Sequence, residues 1–164
     1  MTRLESQWIT GFVDGEGCFF VGINQNSTMT LGFQVLPEFI VVQHERDEQI
    51  LHALKKFWGV GVIRKNHGNR LCYRVRGLKH LQEKIIPFFQ KHPLKNKKNI
   101  DFLKFQKILQ LMERKEHLTK NGLLKIDTLR LEMNRGLQTS KKKLVLIQDQ
   151  LVFQDLSKLE SSLS

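Results

Sequence analysis

An acidic residue at the end of a glycine-rich helix is the first place in this chain where chemistry is expected. In Trp8-Ile9-Thr10-Gly11-Phe12-Val13-Asp14-Gly15-Glu16-Gly17, Leu4, Trp8 and Phe12 recur at helical spacing, and Gly11 and Gly15 lie four apart on one side. That pattern lets a second backbone approach closely. Each glycine weakens a helix by roughly 1 kcal/mol relative to alanine, so packing must compensate. The strand-like run Cys18-Phe19-Phe20-Val21 follows at once and sets Glu16 where helix becomes strand. A carboxylate held there is a hard oxygen ligand suited to Mg²⁺, an ion that activates water and neutralises charge on a leaving oxygen.

The remaining chemistry is cationic. Lys and Arg number 27 against 16 acids, a formal net charge of +11, and such an excess requires a polyanionic partner or an anionic membrane surface. Nucleic acid is the expected partner and a membrane is not, because no apolar run reaches the ~18 residues of a span and no compact basic amphipathic helix stands out. From Gln49 to Gln82 there is no acid, while Lys55, Lys56, Arg64, Lys65, Arg70, Arg74, Arg76 and Lys79 fall within it. A second acid-free stretch, Lys84 to Ile100, holds Lys84, Lys91, Lys95, Lys97 and Lys98. Cys18 and Cys72 are the only cysteines and both lie in strand-like segments, so no disulfide framework is expected. Six scattered histidines without a CxxC or HExxH give no zinc site. The N-terminus has no apolar h-region, so no import or secretion signal is expected.

These groups need elements to place them. Gly17 to Pro37 carries no charge, and Phe19, Val21 and Ile23 alternate with Phe20, Gly22 and Asn24, the period of a half-buried strand. Asn24-Gln25-Asn26-Ser27-Thr28 reads as a hairpin tip. The return strand puts Phe33, Val35, Phe39 and Val41 on one face and Gln34, Leu36, Glu38 and Ile40 on the other, with Pro37 suggesting an edge or bulge. His44 to Glu48 opens a helix with an apolar stripe of Ile50, Leu51, Leu54 and Phe57, ended by Gly59. A second hairpin runs Val60 to Lys65 and Leu71 to Val75, turning at Asn66 to Asn69. On its return strand Leu71, Tyr73 and Val75 oppose Arg70, Cys72, Arg74 and Arg76. Helices follow at Leu78 to Phe89, with Pro87 kinking or closing it, at Asp101 to Lys115, at about Leu123 to Asn134 and at about Lys141 to Leu159. The expected fold is α+β: one domain over 1–164, with a core of about 5–134, a C-terminal helical segment of about 135–164, and helices on one face of a four-stranded antiparallel sheet. The other face then carries Asn24, Asn26, Gln34, Glu38, Arg64, Asn66, Arg70 and Arg74 as base readers of double-stranded DNA. Lys55, Lys95, Lys97 and Lys98 are expected at phosphates or around the active site.

The stretch Ile9 to Gly17 resembles the LAGLIDADG motif of homing endonucleases: Gly11, Asp14 and Gly17 match letter for letter, and Glu16 stands at the motif's second aspartate. From roughly Glu5 to Asn134 the order of elements is similar to that family's αββαββα core. The resemblance implies that Glu16 and the Gly15 carbonyl bind the catalytic Mg²⁺, with Mn²⁺ as a substitute. It puts Gln43 at a water-positioning site, Lys95 at the active-site lysine and Arg46 near a basic position at which this chain has Asp47. Asp14 is expected to support the site rather than to bind metal. Only one motif is present, which implies a homodimer packed through Trp8, Gly11, Phe12 and Gly15 and a long, pseudo-palindromic target cut in both strands. The family also implies intron mobility and a coding origin in a chloroplast or mitochondrion. Two other readings share the scaffold: a maturase that binds intron RNA, and a DNA-binding regulator without catalysis.

Overall fold

A computed structural model of the chain describes residues 2–134, 151 and 155–163. Helix α1, Ser6–Glu16, buries Ile9, Thr10 and Val13 and leaves Trp8, Gly11, Gly15 and Glu16 exposed. Its end is abrupt because Gly17 is extended and its N–H donates back to the Val13 carbonyl. A Cβ on residue 17 would lie 2.6 Å from Val13 Cγ1, so only glycine lets strand follow helix without a spacer.

Strand β1, Gly17–Gln25, pairs with β2, Phe33–His44; β4, Arg70–Arg76, pairs with β2 on one side and with β3, Val62–Lys65, on the other. All pairs are antiparallel, in the order β1-β2-β4-β3. Alternation carries through to burial: Phe19, Val21, Ile23, Phe33, Val35, Phe39, Val41, Tyr73 and Val75 all face the core. Onto this inner face pack α1, α2 (Glu48–Trp58) and α5 (Lys98–Glu113). Phe19 lies at the centre, its ring 5.3–5.6 Å from those of Phe39, Phe89, Phe102 and Phe105, distances at which aromatic quadrupoles favour tilted and edge contacts.

Several boundaries differ from the pattern in the sequence. Asn24 and Gln25 remain in β1, and the first hairpin turns later, over 26–32, because the Asn26 carboxamide oxygen accepts both the Thr28 N–H (3.0 Å) and hydroxyl (2.6 Å) and so builds a longer loop. Pro37 sits in a central strand and not at an edge: it pairs with Val21 of β1, but the ladder to β4 starts one residue later at Glu38 and Arg76, so no second neighbour requires its missing N–H. Strand β3 begins at Val62, two residues late, since Gly61 adopts φ +92° and a Cβ there would meet Tyr73 Cε2 at 2.7 Å. Pro87 does not end its helix. The chain runs from α3 (Leu78–His80) through a π segment (Leu81–Ile85) into α4 (Ile86–Lys91), and the shift in hydrogen-bond register just before the proline accommodates its ring.

Helix α5 starts at Lys98, three residues ahead of Asp101, because Asn96 Oδ1 accepts the Lys98 N–H at 2.8 Å. Helix α6, Lys120–Leu131, is capped by Thr119, whose hydroxyl accepts the Gly122 N–H at 3.1 Å. Of the helix expected over 141–159, residues 141–150 and 152–154 lie outside the described residues; Leu151 is buried and 155–163 are helical. No helix among the described residues is long and apolar enough to cross a membrane.

Candidate active site and nucleic-acid interface

The end of α1 is bound to a segment some eighty positions away. The Asp14 carboxylate accepts the backbone N–H of Lys95 at 2.8 Å and that of Asn96 at 3.4 Å, and the Asn96 amide donates to the Asp14 carbonyl at 2.9 Å. The Lys98 ammonium donates to the Gly17 carbonyl, immediately beyond Glu16. Val13, Asp14 and Gly17 carbonyls are thus all engaged, whereas the Gly15 carbonyl accepts no hydrogen bond among the described residues. An exposed carboxylate and an open carbonyl in one helical turn form two oxygen ligands of the kind Mg²⁺ takes, with waters and phosphate oxygens left to complete the shell. The donor set fits the ion, although no group of three or more His, Cys, Asp or Glu side chains gathers among the described residues.

Basic side chains surround this turn. A groove lined by Asp14, Gly15, Asn96, Lys97, Lys98, Asp101 and Asn134 opens on one side, and one lined by Gly11, Asp14, Lys91 and Lys95 on the other. Gln43 reaches the same end of the sheet through register: Gly17 pairs with Val41, so the two residues beyond Val41 run beside the α1–β1 junction. Arg46 lies past it in the 3₁₀ turn Glu45–Asp47, exposed, with its guanidinium 3.6 Å from the Asp47 carboxylate. Glu16, Gly15, Lys95, Lys97 and Lys98 are therefore brought together, with Gln43 at their edge and Arg46 outside them. Lys55 sits on α2 in the helical layer, away from the sheet's outer face.

The outer face has two polar ends. At one, Asn24 and Gln34 are cross-strand partners, and the Asn26 amide donates to Gln34 Oε1 at 3.1 Å. At the other, Arg64 and Arg70 are exposed near the second hairpin turn, where the Asn66 N–H donates to the Arg70 carbonyl at 2.8 Å. Between them Glu38 is only 5% exposed: Arg76 Nε donates to Oε1 at 2.5 Å and Arg74 Nε lies 3.4 Å from Oε2. Its carboxylate aligns two arginines, and reaching a base would require giving up both. Cys18 also faces outward. Burial pushes its thiol above the usual range, against the pull of the Lys98 ammonium, so it remains neutral and unreactive at neutral pH.

Two site residues did not emerge from the sequence. Asn96 closes the clasp with Asp14, and Asn134, at φ +56°, donates its backbone N–H to Asp101 Oδ1 at 3.1 Å and its amide to the Phe19 carbonyl at 2.9 Å, fixing the groove's far wall. An asparagine just before a helix and one just after are capping signals readable in a sequence; their long-range partners are not. The clasp yields a prediction. Asp14→Ala is expected to lower the strand-cleavage rate that the LAGLIDADG resemblance implies about 10- to 100-fold, the usual effect of removing a group that orients the ligands of a metal site. Asp14→Asn, which keeps one acceptor for the Lys95 N–H, should recover part of that loss. Single-turnover rates beside gel-shift affinities check it; equal losses of binding and rate would reduce Asp14 to a folding role.

Comparison with known proteins identifies the class to which this fold and site belong. The family model for the LAGLIDADG endonuclease matches residues 9–109, and the chain belongs to that family. Among solved structures it is similar to the homing endonuclease I-TnaI, with 55% identity and a TM-score of 0.84 over 89% of this chain and 99% of that one. It is also similar to the LAGLIDADG homing endonuclease I-SmaMI bound to cleaved DNA, with 36% identity and a TM-score of 0.83 over 88% of this chain and 49% of that one. A probable intron-encoded endonuclease of Neurospora crassa is 33% identical over 142 residues, 85% of this chain. The chain spans 31% of that relative's length.

Proposed function

We propose that the protein is a site-specific endonuclease that hydrolyses one phosphodiester in each strand of a long, pseudo-palindromic DNA duplex, acting as a homodimer with Mg²⁺. The observation that carries this reading is the placement of Glu16: an exposed carboxylate beside an open carbonyl, in a turn flanked by Lys97 and Lys98 on one side and Lys95 on the other, at the root of a strand whose outward side chains belong to an arginine- and amide-bearing face.

The residues divide the work. Arg64, Arg70 and Arg74 with Asn24, Asn26 and Gln34 lie along the groove, and Lys97 neutralises phosphate. Glu16 and the Gly15 carbonyl hold the ion, which when bound activates water and offsets charge on the leaving oxygen. Gln43 orients the attacking water and Lys95, whose backbone Asp14 fixes, faces the developing phosphate charge. Lys98 holds the end of α1 to α5 through the Gly17 carbonyl. One such carboxylate among the described residues leaves the second strand to a second copy; the chain covers 99% of I-TnaI and 49% of I-SmaMI, which is consistent with one unit of a pair. The intron-encoded relative supports an intron as its source, and an organelle genome is what the family resemblance implies for it.

A randomised duplex library incubated with and without Mg²⁺, with the new ends sequenced, tests this. Metal-dependent ends within one near-symmetric sequence are expected. An absence of cuts, with specific retention of an intron RNA or an uncut duplex, would move the protein to a maturase or a regulator.

A further inference from the structure

The middle of the sheet's outer face is apolar. Phe20 is 45% exposed there, directly across from Glu38, with Leu36 and Ile40 half-buried at the diagonal positions of β2. Its ring leans along the strand over Gly22, where a Cβ would lie 3.4 Å from Phe20 Cε1. Because the Glu38 carboxylate is taken by Arg76 and Arg74, this stretch presents no free hydrogen-bonding side chain, whereas Asn24 and Gln34 lie on one side of it and Arg74 and Arg64 on the other.

Arginines rimming a hydrophobic window commit its occupant to an anion with an apolar group at a fixed place. In a duplex major groove the one apolar group on a base edge is the thymine C5-methyl. We propose that Phe20, seated between Leu36 and Ile40, reads thymine methyls, so that each half-site carries a required A·T pair between the bases facing Asn24 and Gln34 and those facing Arg74 and Arg64. This rests on the DNA reading above and adds a feature of the target to it. Phe20 selects thymine over cytosine without a hydrogen bond, and the selection depends on a single methyl group.

Deoxyuridine separates that contact from every other, since it pairs as thymidine does and lacks only the methyl. The target recovered from the library is rebuilt with each thymidine replaced in turn, and affinity is measured by gel shift without divalent metal. Wild type is expected to lose about fourfold at one or two positions in each half-site, the fold-change of one apolar carbon leaving water. Phe20→Ala should bind the same duplexes with no loss at those positions, and Phe20→Leu should show an intermediate loss. Tolerance of deoxyuridine at every position by wild type, or an unchanged profile in Phe20→Ala, overturns the inference while leaving the endonuclease in place. Loss of self-association in Phe20→Ala with an unchanged profile would reassign the patch to a second copy of the chain. A wild-type protein that shifts no duplex overturns both readings.

Discussion

Glu16→Gln is expected to lower the rate of strand cleavage roughly a thousandfold, because several kcal/mol of charge stabilisation at the metal are removed. DNA affinity and its salt slope should hardly change. The substitution keeps shape and hydrogen-bonding capacity and deletes one charge, while the lysines and arginines proposed to meet phosphate are untouched. Its effect on folding should have the opposite sign from its effect on activity. Glu16 is an acid in the last turn of α1, and no basic residue of that turn compensates it, so it lies at the negative end of the helix dipole. Such a placement costs about 0.3–1 kcal/mol, and the amide should leave the chain as stable or slightly more so. A carboxylate at a helix's negative end is poorly placed for stability and well placed to draw a cation. Single-turnover cleavage, gel shift and urea unfolding on the same preparation give all three readings. Retained cleavage, or binding lost together with cleavage, would remove Glu16 from the centre of the mechanism.

How much of this was legible in the sequence depends on the range of the signal. Strand β4 could be read because arginine alternates with Leu71, Tyr73 and Val75 at a period of two, and Tyr73 and Val75 are wholly buried while Arg70 and Arg76 are exposed; Cys72, on the arginine side, is the exception and is buried as well. The end of α1 could be read because glycine, acid and glycine come together where the period changes. What could not be read was register. Glu38 looks like any polar strand residue until β2 pairs with β4 and sets it opposite Arg76; only then is it a buried counterion and not a free acceptor. The same holds for Asp14 with Lys95 and Asn96, which lie on either side of the whole sheet in sequence and meet through its fold. Pro37 and Pro87 break no element for a related reason: each is tolerated by its neighbourhood, a missing second strand in one case and a π segment in the other.

Gly11→Ala gives the clearest test of whether a second copy completes the site, because the predicted effects on monomer and dimer have opposite signs. Gly11 is exposed in mid-helix, and a Cβ built on it meets nothing within 4 Å; the same is true of Gly15. In a chain whose α1 faced water, alanine there would stabilise the helix by up to about 1 kcal/mol. Beside these glycines the rings of Trp8 and Phe12 stack 4.7 Å apart at 13°, with Trp8 43% exposed, an apolar flank unsuited to solvent. If two copies of α1 pack backbone to backbone, each added methyl enters the contact, and the two-fold axis introduces it twice. Overpacking costs about 1–3 kcal/mol per site, so the dimer dissociation constant should rise at least tenfold. The variant should unfold later as a monomer at low concentration, dissociate more readily in sedimentation, and cut only at concentrations that restore the pair. Higher stability with unchanged self-association and unchanged cleavage would place the partner elsewhere than α1, and the glycines would then need another cause.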